Sequence, residues 1–325
     1  MGYKLPAELR DVAHLQRGIL SVAQLTEVGL AQDALSRRVA RGLWQRLHRG
    51  VYATFSGEPG REAVLWAAVL ACGSGAMLSY QTAAEVAGLV DRPSPLVHIT
   101  IPGGRRIVRP AGIVIHLSAR ANQVLHPVKL PPQTRIEETI LDLACVATSL
   151  DEACGWVTTG IGRRLTKPIK LRAAMELRGK MRWRAELTEL LSPETDGVHS
   201  PLEWRYLRDV ERPHGLPDGS RQALARRGSH NEYRDKLYSA FGVALELDGR
   251  AAHPGDKRWD DIRRDNAAAA DRLITLRYGW VDVATRPCFV AAEVSRVLVS
   301  RGFTGARPCS PGCPVGTVIA QQRPA

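Results

Sequence analysis

Apolar residues recur at helical spacing in three short segments near the N-terminus: Leu9 to Arg17, Val22 to Val28 and Gln32 to Arg41. Gly18, Gly29 and Gly42 close them, and Ser21 is a suitable N-cap for the second. In the third segment Leu35 and Val39 lie four apart and face inward, which leaves Arg37, Arg38 and Arg41 on the outer face. Leu43 to Ala53 then reads as a small β-ribbon turning at Arg49-Gly50. Three helices followed by a ribbon predict a winged helix-turn-helix over residues 1–55. Such a unit places its third helix in the DNA major groove and its ribbon on the backbone. Arg37, Arg38, Arg41 and Arg49 are the candidate DNA-binding residues, because guanidinium forks match phosphates and guanine edges alike. The competing reading is that these arginines only solvate a helix, or that the unit makes protein contacts.

Residues 56–192 predict an α/β connector domain. Arg61 to Cys72 is an apolar helix, and Ser79 is expected to cap another running to Ala87. Val97–Ile101 and Gly112–Leu117 read as strands joined by a basic loop, Gly103 to Arg109. Thr134 to Ala147 is an amphipathic helix with Ile136, Ile140, Leu143 and Ala144 on one stripe; Glu137, Glu138 and Asp142 decorate the rest. Arg163 to Arg184 is strongly basic, suited either to a phosphate backbone or to a solvated helical pair.

Pro193 to Gly197 is a linker signal, and a third domain is expected over residues 193–305. Ser200 caps a helix with Pro201 in its first turn and Glu203 after it. Two strands follow, turning at Phe241-Gly242, then a charged helix from Asp260 to Arg272, a strand Leu273–Tyr278, and a last helix from Pro287 to Val299. The order α-β-β-α-β-α suits a small sheet flanked by helices, and the fold class of the chain is α/β in the mixed, α+β sense.

In the second of those strands Glu246 and Asp248 share a face by strand period, and a paired strand would bring Asp235 alongside. Converging carboxylates repel unless a cation neutralises them, and hard oxygen ligands suit Mg²⁺ or Mn²⁺. Taken singly, each acid also fits a strand end, a solvent face or a turn.

Composition sharpens the choice of partner. The chain has 325 residues, 44% of them apolar, and its 45 lysines and arginines against 33 acids give a formal charge of +12. That excess favours polyanions, with nucleic acid first. The N-terminus lacks a signal-peptide core, and the longest apolar run, Ala63 to Cys72, is too short for a bilayer. A cytoplasmic protein without membrane partners is expected. Its six cysteines are read as reduced thiols. Cys309 and Cys313 sit in Pro-Cys-Ser-Pro-Gly-Cys-Pro, but a closed zinc site needs two more ligands. His253 and Cys288 are conceivable, although nothing forces them together, and residues 306–325 are expected to be a flexible Pro/Cys tail.

Ser200-Pro-Leu-Glu203, Tyr233-Arg-Asp235, Leu245-Glu-Leu-Asp-Gly249 with His253, and Arg263-Arg-Asp-Asn266 followed by Leu276-Arg-Tyr-Gly-Trp280 together resemble a bacterial family of unknown function. That family is related to the very-short-patch-repair endonuclease, within the PD-(D/E)XK nuclease superfamily. The resemblance covers about the last third of the chain. It implies a restriction-endonuclease-like sheet and Mg²⁺-dependent hydrolysis of DNA phosphodiester bonds. Asp235 and Glu246 match the metal-binding acids, Glu203 the acid on the leading helix, and His253 a histidine of repair-type relatives. Asp248 stands where the superfamily usually has lysine, so it adds a metal ligand but no positive charge. The N-terminal third is similar to the winged helix of type IV (abortive-infection) antitoxins. That implies an alternative: a non-catalytic, antitoxin-like transcriptional regulator with a degenerate nuclease fold, and a toxin-antitoxin partner protein.

Overall fold

The structure is a computed structural model describing residues 5–192, 200–227, 230–248 and 273–321. In chain order its elements begin with α1 (Ala7–Leu15), β1 (Ile19–Ser21), α2 (Val22–Glu27), α3 (Gln32–Ala40), β2 (Gln45–His48) and β3 (Val51–Ala53). Next come α4 (Arg61–Cys72), β4 (Met77–Leu78), α5 (Tyr80–Val86), β5 (Val97–Pro102), β6 (Ile113–Ser118), α6 (Ala121–Val124) and α7 (Ile136–Val146). Then follow α8 (Leu150–Gly162), α9 (Pro168–Glu176), α10 (Arg184–Leu190) and α11 (Pro201–Arg205), the last running into a π-helical turn, Tyr206–Glu211. The chain closes with β7 (Ser220–Arg227), β8 (His230–Tyr238), β9 (Val243–Asp248), β10 (Ile274–Gly279), α12 (Trp280–Thr285), α13 (Pro287–Ser300) and α14 (Val315–Gln321). Among the described residues no helix is long and apolar enough to cross a membrane.

The chain divides into two compact units, one of residues up to Thr148 with Arg163–Trp183, the other of Ser149–Gly162 with Arg184 onward. This differs from a single connector over residues 56–192. Helices α8 and α10 belong with the C-terminal unit, where Arg205 on α11 forks onto Asp151 of α8 at 2.6 and 3.0 Å.

In the first unit Ser21 caps α2 reciprocally: its hydroxyl accepts from Gln24 N at 3.3 Å, and the Gln24 side chain accepts from Ser21 N at 2.9 Å. β1, β3 and β2 form an antiparallel sheet in that spatial order. Leu9, Leu20, Leu25, Leu35, Trp44 and Tyr52 close one core with α1–α3, while Ile19, Val51 and Ala53 pack against Ala63, Trp66 and Ala67 of α4. A second sheet runs β4-β5-β6, with β5 and β6 parallel. Ser79 precedes α5 as expected but makes no capping bond, and its buried hydroxyl has no hydrogen-bond partner among the described residues.

The acids of α7 are not surface decoration. Glu138 is 4% exposed and receives Arg120 at 2.9 Å and Arg178 in a shorter contact, while Arg178 also reaches Asp142 at 2.8 Å. Burial pushes the Asp142 carboxyl up, and Arg178 opposes that shift. Arg178 is therefore an internal counter-charge, and Arg163 forks onto Asp91 at 2.7 and 2.8 Å, so part of the basic stretch is engaged within its own unit.

In the second unit the sheet order is β10-β9-β8-β7. β7, β8 and β9 are antiparallel neighbours, and β10 joins β9 in parallel. Gly242 turns the chain between β8 and β9 with φ 61°, a left-handed conformation that a Cβ disfavours. Leu202, Tyr206, Val243, Leu245, Val290, Val294 and Leu298 fill the core. Cys313, Val315 and Val318 join it, with Ile319 packed against it, so this part of the segment expected to be a flexible tail is anchored in the core. The linker signal Pro193–Gly197 and the charged helix expected from Asp260 to Arg272 lie outside the described residues.

Candidate functional site

The basic face begins on α3. Leu35 is fully buried and Val39 packs beside it, so helical period turns Arg37 and Arg41 outward, and both are exposed. Arg38 differs. Its guanidinium donates to Ala34 O at 2.9 Å and lies 5.1 Å from the Trp44 ring, which makes it part of the packing rather than of the outer face. Arg49, in the turn between β2 and β3, is exposed, as is Arg46 on β2. Arg46 was missed by the sequence reading, although strand alternation marks it as outward next to half-buried Gln45 and Leu47. Burial holds His48, on the same ribbon, below the usual imidazole range.

Elsewhere in this unit a groove of about 650 Å³ is lined by Tyr80, Arg105, Arg106, Arg109 and His116. Tyr80 stacks on His116 at 3.8 Å, and His116 Nε2 lies 3.0 Å from His98 Nδ1. Burial, then the neighbouring His98, pushes the His116 pKa down to about 4, so the ring is neutral at pH 7.

The acidic residues of the second unit are placed by strand register. Lys236 pairs with Leu245 across β8 and β9, so Asp235 and Glu246 are the next residues along each strand. Asp235 Oδ2 accepts from Leu247 N at 2.6 Å. Glu246 sits opposite Arg277 on β10, whose Nε donates to Glu246 Oε2 at 2.7 Å. One oxygen of each carboxylate thus accepts a hydrogen bond from the protein itself. Glu203 stands in the first turn of α11, its N–H donating to Ser200 Oγ at 3.1 Å. Asp248 ends β9 opposite Gly279; its side chain, like His253, lies outside the described residues.

Lys236, next to Asp235, is 4% exposed, points into the core, and pairs with Glu211 from the π-helical turn. Tyr238 Oη donates to Glu211 Oε2 at 2.9 Å and meets Tyr206 Oη at 3.1 Å. Burial pushes the Glu211 carboxyl up and the Lys236 ammonium down. Local sequence pattern does not pair Glu211 with Lys236, because they sit on separate elements that only tertiary packing brings together.

Residues 7–54 match a family model described as a transcriptional regulator, AbiEi antitoxin. No curated protein matches the chain. Among solved structures, the crystal structure of the RV2827C protein from Mycobacterium tuberculosis is similar at 18% identity and a TM-score of 0.38, over 63% of this chain and 81% of that one.

Proposed function

We propose that this protein is a DNA-binding transcriptional regulator of the antitoxin type, whose residues 5–55 act as a winged helix. The observation that carries this reading is the match of residues 7–54 to a regulator family, over the segment where α3 and the β2–β3 ribbon expose Arg37, Arg41, Arg46 and Arg49. In this arrangement α3 enters the major groove. Arg37 and Arg41 reach base edges or phosphates, and Arg46 and Arg49 hold the backbone from the ribbon. The net charge of +12 adds a long-range attraction to the polyanion. A partner protein encoded beside it, as toxins are beside antitoxins, is the expected companion.

The test is binding of the purified chain to the DNA upstream of its own gene, over a series of salt concentrations. Binding should weaken steeply with salt, and Arg37→Ala and Arg41→Ala should each lower the logarithmic salt slope by about 1. Salt-independent binding, or binding untouched by both substitutions, would sink this reading.

A second reading, a Mg²⁺-dependent DNA endonuclease, is favoured by one observation: the register sets Asp235 beside Glu246 on adjacent strands. Glu203, Asp248 and His253 would complete such a site. Plasmid nicking with Mg²⁺ or Mn²⁺ by the wild-type chain that disappears in Asp235→Ala and Glu246→Ala would establish it. Equal behaviour of all three proteins leaves the regulator alone.

A further inference from the structure

Four side chains from separated parts of the sequence converge in the second unit: His214, Cys288, Cys309 and Cys313. Their potential ligand atoms all lie within 4.8 Å of one another. Cys288 Sγ and Cys309 Sγ are 3.6 Å apart, too far for a disulfide and close to the S···S edge of about 3.8 Å in a tetrahedron with Zn–S near 2.3 Å. The imidazole supplies the independent observation. His214 is fully buried and its Nδ1 lies 2.7 Å from the Val210 carbonyl, which can only accept, so Nδ1 carries the proton. Nε2 is left with a bare lone pair, buried and without a hydrogen-bond partner among the described residues. A buried, unsatisfied nitrogen is costly unless something binds it. A backbone carbonyl fixing the far nitrogen is also how zinc-ligating histidines are commonly oriented.

We propose that His214, Cys288, Cys309 and Cys313 bind one zinc ion in a closed Cys₃His site. Soft thiolates with one imidazole select zinc over magnesium or calcium. Four protein ligands leave no position for water or substrate, so the site is structural. Metal binding releases the thiol protons, and no oxidant or reductant is required. The ion clasps three pieces of chain: the end of the helical run from α11, the first turn of α13, and the loop before α14. The backbone already brings two of these together, with Arg307 N donating to His214 O at 2.9 Å. A Cβ at Gly215 (φ 62°) would stand 2.9 Å from Gly305 O. The segment therefore needs a glycine for the crossing and a metal to finish it.

The test is elemental analysis of the full chain, purified without a histidine tag and dialysed against metal-free buffer. About one zinc per chain is expected, retained by Cys145→Ser and lost from His214→Ala and Cys313→Ser. If the variants fail to fold, cobalt(II) added to the wild-type apoprotein serves instead. The expected result is thiolate-to-cobalt charge-transfer absorption with the intense visible bands of tetrahedral cobalt, bleached by one equivalent of zinc. Folded wild-type protein that carries no zinc and gives no such spectrum overturns the proposal, and so does a Cys288–Cys309 disulfide in protein made in zinc-replete medium. Neither result bears on DNA binding by residues 5–55.

Discussion

Two arginines one position apart are expected to behave differently. Arg37 is exposed on α3, whereas Arg38 bonds Ala34 O and lies over Trp44. Arg37→Ala should change the salt dependence of DNA binding and leave stability within about 0.5 kcal/mol. Arg38→Ala should instead cost about 1 kcal/mol of stability through lost packing and the lost cation–π contact, visible as a lower urea midpoint. The His98–His116 pair predicts a pH response. The folded pKa of His116, about 4, lies below the unfolded value of 6.5. The unfolded chain therefore binds the proton first, and the stability contributed by neutral His116 is full above pH 6.5 and lost as pH falls towards 4. After allowing for solvent screening, the loss is about 1–2 kcal/mol. The imidazole C–H resonance of His116 should still be that of a neutral ring at about pH 5.5, and a midpoint near 6.5 would refute the argument.

At the scale of elements, helical and strand period made α1–α4, α7, β5, β6, β9 and α13 legible, because alternation of apolar residues reports one buried face. Gly242 and Ser200 were legible too, since a left-handed turn and an N-cap each demand a narrow set of residues. The role of Lys236 was not. Strand period puts it on one face or the other, but only the packing of the π-helical turn against β8 supplies Glu211 as its partner. Removing one member strands the other charge in the core, so Lys236→Ala should cost about 3–5 kcal/mol, read by chemical unfolding. Joint replacement of Lys236 and Glu211 by apolar residues should cost far less. At Gly215, a methyl group would meet Gly305 O and strain a positive φ. Gly215→Ala should therefore destabilise the second unit by about 1–3 kcal/mol, whereas Gly179→Ala, which meets nothing nearby, should be nearly silent.

For the molecule as a whole, two compact units with separate cores imply two unfolding events. Chelation by EDTA should lower the transition of the second unit and leave the first unmoved, which differential scanning calorimetry with and without chelator can resolve. One common transition, unmoved by chelator, would count against the zinc clasp. The sequence by itself determined the basic charge, the order of three helices and a ribbon at the N-terminus and the strand carrying Glu246, because composition and periodicity are local properties. Tertiary structure alone decided which charges are internal and which cysteines meet. His214 and Cys313 are far apart along the chain, with all four strands of the second unit's sheet and the whole of α13 between them, and no local pattern in those residues encodes their distance in space. A short Pro-rich segment looks like a loose end until the helix ends and core that it packs against are in place.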